Sequence, residues 1–302
     1  MTAPLNLDQT QQATVVGYQS RPVTKPPNWH GLVTLDLVLN NVSTGLFLVA
    51  AVGELLAPAA FRPLARLAYP LALLFLLGDL VCLVFDLGDP KRFHHMLRVW
   101  KPSSPMSLGT WVLSAYAGPV TLLAILSLVT GTSDGAGLHA LRVVLLLIGA
   151  VLAVGAAAYK GVLFSTTAQR GWEEARWLGG YLINSALGLG AAGMLLLAAL
   201  TGHGAEMDGL RLAARLLLAL NLVAIVLLAA GVRAPLRAAL GARGIVTLAL
   251  LAIVVGVLVP IWLIGSSTLL GVAVALALML VGAGAVRHAI VQLPHRLARG
   301  AH

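Results

Sequence analysis

Eight long apolar runs divide the chain, at roughly 32–57, 64–86, 108–130, 140–165, 178–200, 210–231, 244–265 and 267–287. Crossing about 30 Å of hydrocarbon takes about 20 helical residues, so each run is long enough to span a bilayer as a helix. The pattern predicts an all-α integral membrane protein of about eight transmembrane helices, with both ends on the same side. Polar and proline-rich punctuation separates the runs. Pro58 and Pro63 bracket the first turn, a long polar segment from Asp86 to Ser107 follows the second run, and Gly265-Ser266-Ser267 predicts a tight final hairpin. Pro260 is expected to kink the seventh helix. Small residues cluster at Gly188, Gly190, Ala191, Ala192 and Gly193, and again at Gly282 and Gly284, where helix backbones can approach closely. The expected organisation is a polar N-terminal arm at 1–31, one transmembrane domain at 32–290 and a short basic tail at 291–302. The arm carries Pro22, Pro26 and Pro27 but no apolar core of a signal peptide.

Composition supports lipid as the solvent. Hydrophobic residues make up 59% of the chain and charged ones 10%, against about 45–50% and 25% in soluble domains. The net charge of +9 does not indicate nucleic acid, because the cations sit at the ends of apolar runs. Of the 20 Lys and Arg residues, fifteen fall on the side of the two termini and five on the other. By the positive-inside rule the termini are then cytoplasmic, in the inner membrane of a bacterium or archaeon. Cys82 is the single cysteine, which excludes an internal disulfide and an iron–sulfur cluster held by this chain alone.

Candidate chemistry is sparse. The eight histidines lie in loops, tails or helix ends, so no haem and no metal site is expected. Carboxylates within a span are functional hypotheses by default. Asp36 lies just inside the first helix, and Asp79 seven residues before the end of the second, roughly 10 Å below the termini-bearing surface at 1.5 Å per residue. Tyr159 falls roughly 9 Å deep by the same rule. Three helices thus deliver polar groups to one depth, which suits a pocket for an amphipathic ring with hydrogen-bonding oxygens, such as a quinone. The plainer alternative is that Asp79 pairs with a neighbouring hydroxyl or with Lys160. Glu54 lies near the opposite face and is expected to be a surface carboxylate, the alternative being one end of a proton route from Asp36 or Asp79. Asn40, Asn41, Ser43, Thr44, Asn184 and Ser185 are the polar residues between them, able to hold water or to bond between helices.

The segments Asp86-Leu-Gly-Asp-Pro-Lys-Arg-Phe-His-His-Met-Leu-Arg98 and Ser104-Pro-Met-Ser-Leu-Gly-Thr-Trp111 resemble the D-L-G-x-P-x-R-F…S-P-M-S-x-G-x-W signature of the polysulfide-reductase and NrfD-type membrane-subunit family. Tyr159-Lys-Gly-Val-Leu-Phe-Ser165, Leu182 to Ala192 and Val286-Arg-His-Ala-Ile-Val291 resemble later family segments in order. The resemblance implies two four-helix bundles without haem. It implies electron exchange between membrane quinone, menaquinone or ubiquinone, and a docked ferredoxin-like iron–sulfur subunit, with a molybdopterin-type catalytic subunit often beyond. Proton translocation is a further possibility. It implies Tyr159 and the helix-one position of Asp36 at the quinone; Asp79, at the same depth, completes the candidate site, with His30 and His95 as candidate proton entry points. Asp36 stands where relatives can place histidine, and Asn221 is the strongly polar residue where many relatives carry an acid in helix six. The Asp86–Ser107 loop, with Lys91, Arg92, Arg98 and Lys101, suits docking of an acidic partner; the same cations can instead bind lipid head groups. The rival class is a secondary transporter, whose broken helices and midplane polar groups this chain matches poorly.

Overall fold

The computed structural model describes Trp29 and residues 31–299 apart from 88, 99, 132–134, 205–206 and 267. Most of the polar arm expected at 1–31, His30 included, lies outside the described residues. Among the described residues, eight helices are long and apolar enough to cross a membrane: α1 (Gly31–Leu56), α2 (Pro58–Phe85), α3 (Pro105–Thr130), α4 (Ala136–Ser165), α5 (Leu178–Leu200), α6 (Asp208–Gly231), α7 (Arg233–Ile264) and α8 (Leu269–Arg299). A 3-10 helix, Pro90–Leu97, lies in the α2–α3 connection. The protein is an all-helical, multi-pass membrane protein.

Prolines and caps set several boundaries. Pro58 and Pro105 occupy first turns, where a missing N–H costs nothing, and the Ser104 hydroxyl accepts from the Ser107 amide at 3.5 Å. The final helix continues through the basic segment to Arg299, its last turn carrying Arg296 and Arg299 against the negative end of the helix dipole. In α7 the expected disturbance at Pro260 takes the form of a π-helical stretch, Leu250–Leu258, directly before the proline-containing turn. Proline cannot donate to the carbonyl four residues back, and a wider register absorbs the missing bond.

α1 to α4 pack as one four-helix bundle and α5 to α8 as a second, joined mainly where α1 crosses α5. The apolar windows of α1 and α5 are 67% and 78% buried, against 22% for α6 and α7. The first two are therefore the shared inner wall, and the outer helices turn leucine and valine toward lipid, for example Leu212, Leu216 and Val223. The crossing depends on Gly45 and Gly190: a Cβ on Gly45 would overlap the Ala186 carbonyl, and one on Gly190 would overlap the Gly45 carbonyl. A buried arginine closes the same seam. Arg287 of α8 donates to the Tyr181 hydroxyl (3.3 Å), the Ser185 hydroxyl (3.1 Å), the Ala283 carbonyl (3.0 Å) and the Asn41 side-chain oxygen. Its guanidinium also lies 5.4 Å from the centre of the Tyr181 ring. Four neutral acceptors thus hold one charge and tie α8 to both inner helices.

Candidate functional site

On α1 the residues Asp36, Asn40 and Ser43 recur at four- and three-residue spacing, so they share one face, and that face is turned into the first bundle. There the two span carboxylates meet one ammonium. Lys160 Nζ donates to Asp36 Oδ1 and to Asp79 Oδ1, both at 2.6 Å, and lies 3.4 Å from the Asp36 carbonyl. Asn40 Nδ2 donates to the second oxygen of Asp79 at 3.1 Å. All three ionic side chains are almost wholly buried, at 3%, 2% and 0% exposure for Lys160, Asp36 and Asp79. Charge-assisted bonds this short are among the strongest a protein makes, and burial without them would cost several kcal/mol per charge.

Above this cluster opens a cavity of about 380 Å³. Asp36, Tyr159 and Lys160 line its floor; Val33, Leu80, Leu83, Leu113 and Leu163 line its walls. Its rim is built by Trp29, Phe164 and Met106, and by Phe93, Met96 and Leu97 of the 3-10 helix, which lies over it as a lid. Thr110 and Ser114 also face it, but each hydroxyl donates to a carbonyl one turn back in α3. The helix ends around the cavity, the start of α1 and α3 and the end of α2 and α4, all lie at the termini-bearing face. The Tyr159 ring packs on Gly109, where a Cβ would overlap it, and its centre is 5.6 Å from Lys160 Nζ.

Two contacts tie the rim to the second bundle. Trp29 stacks on Trp172 with ring centres 5.2 Å apart, and both contact Phe164. Trp172 Nε1 donates to the Ile290 carbonyl at 2.8 Å, and the His295 ring nitrogen lies 2.8 Å from the Trp29 carbonyl. The lid is held at its far end by Trp100, whose ring meets Trp111 edge-on at 5.8 Å, and by the Lys101 amide donating to Ser107 at 3.1 Å. Its cations point outward: Lys91, Arg92, Arg98 and Lys101 are exposed. Arg92 pairs with Asp89 at 3.1 Å, and Arg98 contacts the His95 ring at 3.2 Å.

Of the residues singled out from the sequence, Asp36 and Tyr159 share the cavity floor, while Asp79 stands behind it, reached through Lys160. His95 is on the exposed lid and does not line the cavity. From the sequence Lys160 is one option for pairing Asp79; the structure makes it the hub. The signal was available: a lysine within an apolar run must find carboxylates. Trp29 and Phe164 were missed, since nothing in an aromatic's local sequence says that it rims a cavity. Three of the cations that the positive-inside comparison assigns to the two sides, Lys160, Arg287 and Arg142, are buried inside the bundles rather than held in loops. Glu54 departs most from expectation. It is 4% exposed, not a surface carboxylate, and it accepts from Tyr69 at 2.8 Å and Arg142 at 3.2 Å, with Arg62 3.4 Å away.

A family model described as polysulphide reductase, NrfD matches residues 23–293. No curated protein matches the chain. The match covers nearly all of the chain, which therefore belongs to the NrfD family, whose members are membrane subunits of oxidoreductase complexes and partner with other subunits of them.

Proposed function

We propose that this NrfD-family chain is the quinone-reactive membrane subunit of an oxidoreductase complex, exchanging electrons between a membrane quinone and an iron–sulfur subunit docked over the lid. The observation that carries the reading is the cavity. It is lined mainly by apolar side chains, has Asp36, Tyr159 and Lys160 at its floor and Asp86 where α2 ends, and lies at the face that carries the cationic lid. At about 380 Å³ it falls in the range of small-molecule sites, roughly 300–1,000 Å³. A quinone supplies two-electron, two-proton chemistry at its ring oxygens. The chain's residues supply the rest. Val33, Leu80, Leu83 and Leu113 exclude water from the ring. The Tyr159 hydroxyl donates to a ring oxygen without burying a charge. Asp36 accepts or returns protons, and Lys160 shares them with Asp79, so a proton gained at the floor is spread over two carboxylates and an ammonium. The lid cations match an acidic partner surface, and the lid itself is one 3-10 helix thick, which keeps a partner's cluster near the cavity.

The test is purification of the intact assembly from its native membrane in mild detergent, with subunit identification and quinone extraction. The expected result is an iron–sulfur subunit and stoichiometric menaquinone or ubiquinone. An assembly containing neither overturns the reading.

A further inference from the structure

Below the cavity, the interior of the first bundle is built in layers. The first is the Asp36–Lys160–Asp79 cluster. A second ionic layer lies near the opposite face, where Glu54 accepts from Tyr69 and Arg142, and Arg142 also donates to Ser127 (3.1 Å) and Thr130 (3.2 Å). Between them lies a layer of rings. Phe47 packs against Tyr69 with centres 5.6 Å apart and edge-on against Tyr116 at 5.4 Å, and all three are 0% exposed.

The hydroxyls of this region lead away from a through-route. Tyr116 contacts the Ser43 hydroxyl (3.2 Å) and donates to the Ser43 carbonyl (3.3 Å), while Ser43 donates to the Ala72 carbonyl (2.7 Å). That group ends on backbone of α1 and α2. Tyr69 donates in the other direction, to Glu54 at 2.8 Å. On the inward face of α1 the step from Ser43 to Glu54 is eleven residues, roughly 16 Å of helix, and Phe47, Ala50 and Ala51, buried within it, are apolar. A proton moves along hydrogen bonds or waters, and among the described residues this layer of packed, fully buried rings supplies no hydrogen bonds between the two ionic layers.

We infer that Phe47, with the rings of Tyr69 and Tyr116, is a dry proton barrier across the first bundle, so that the cavity exchanges protons with the lid-bearing face alone. In either direction of turnover, the two protons that accompany each electron pair come from, or return to, that one compartment, the electrons passing to or from the docked partner. This rests on the proposed quinone reaction for its role in turnover. The barrier itself is testable without it.

The full chain is reconstituted in phospholipid vesicles with an internal pH dye, and proton flux is driven by a potassium–valinomycin potential. Wild-type vesicles should match protein-free ones. Phe47→Ser leaves a void beside two tyrosine rings and adds a hydroxyl of its own; water fills that void, and flux should rise at least about tenfold. Phe47→Leu leaves an apolar void that stays dry, and flux should stay at the wild-type level. A leaky wild type, a folded F47S as tight as wild type, or an F47L as leaky as F47S overturns the barrier. Should F47S not fold, the wild-type assembly decides: with an artificial electron partner, all protons should appear on the lid side, and protons on the opposite side overturn the inference. Absence of any quinone turnover would instead count against the quinone reading while the flux comparison stands.

Discussion

Among the described residues Lys160 is the cation that bridges the two buried carboxylates Asp36 and Asp79, and its removal should be unlike the removal of either partner. With Asp36 and Asp79 ionised the cluster carries one net negative charge. Asp79→Asn or Asp36→Asn leaves one balanced pair, and the lost ion–ion contact is replaced in part by an amide contact to the same ammonium. Lys160→Gln leaves two carboxylates facing each other at 0–2% exposure, with Asn40 as the nearest donor to one of them. Orphaning a buried charge typically costs about 3–5 kcal/mol, whereas balanced removal of buried charge is often near neutral. The expected order of destabilisation is therefore K160Q well above D79N and D36N, with K160Q lower by about 3–5 kcal/mol and the single amides within about 1.5 kcal/mol of wild type. The double variant D79N/K160Q should recover part of the loss. Equilibrium unfolding in mixed detergent–dodecyl sulfate micelles, followed by circular dichroism, measures this directly. Equal destabilisation by K160Q and D79N, or additivity in the double variant, would refute the shared-ammonium account. Quinone-dependent turnover should fall in K160Q, while artificial-acceptor activity of the partner subunits persists.

Tyr159→Phe removes one hydroxyl from the cavity floor and should lower quinone-dependent turnover by roughly tenfold, the worth of one hydrogen bond of about 1.5 kcal/mol, with assembly unchanged; full activity in this variant would place the quinone elsewhere. Replacing Lys91, Arg92 and Arg98 together with Glu should release the iron–sulfur partner on affinity purification while the helices still insert, and undiminished co-purification would assign the lid to lipid. Gly45→Ala inserts a methyl group into the Ala186 carbonyl at the seam, and should cost about 1–3 kcal/mol of stability by overpacking, seen as a lower unfolding midpoint; a midpoint at the wild-type value would contradict the close α1–α5 crossing.

What the chain determined by itself is what depends on solvent and on distance along one helix. Apolar run length against bilayer thickness is a local quantity, and it specified eight spanning helices. Helical rise placed Asp36, Asp79 and Tyr159 at one depth, because depth is additive along a helix. The lid was legible through its polar composition and its signature. Tertiary structure decided which way each helix face turns. A depth says nothing about azimuth, so it could not distinguish Asp36 and Tyr159, which line the cavity, from Asp79, which reaches it through Lys160. Glu54 was read as a surface carboxylate for the same reason: its position near a helix end is a one-dimensional fact, and its burial comes from Tyr69, Arg142 and Arg62 on two other helices. The adjacent Asn40 and Asn41 show the limit most clearly. One bonds Asp79 inside the first bundle and the other bonds Arg287 at the seam, because successive residues of a helix point about 100° apart and only packing assigns each direction a neighbour.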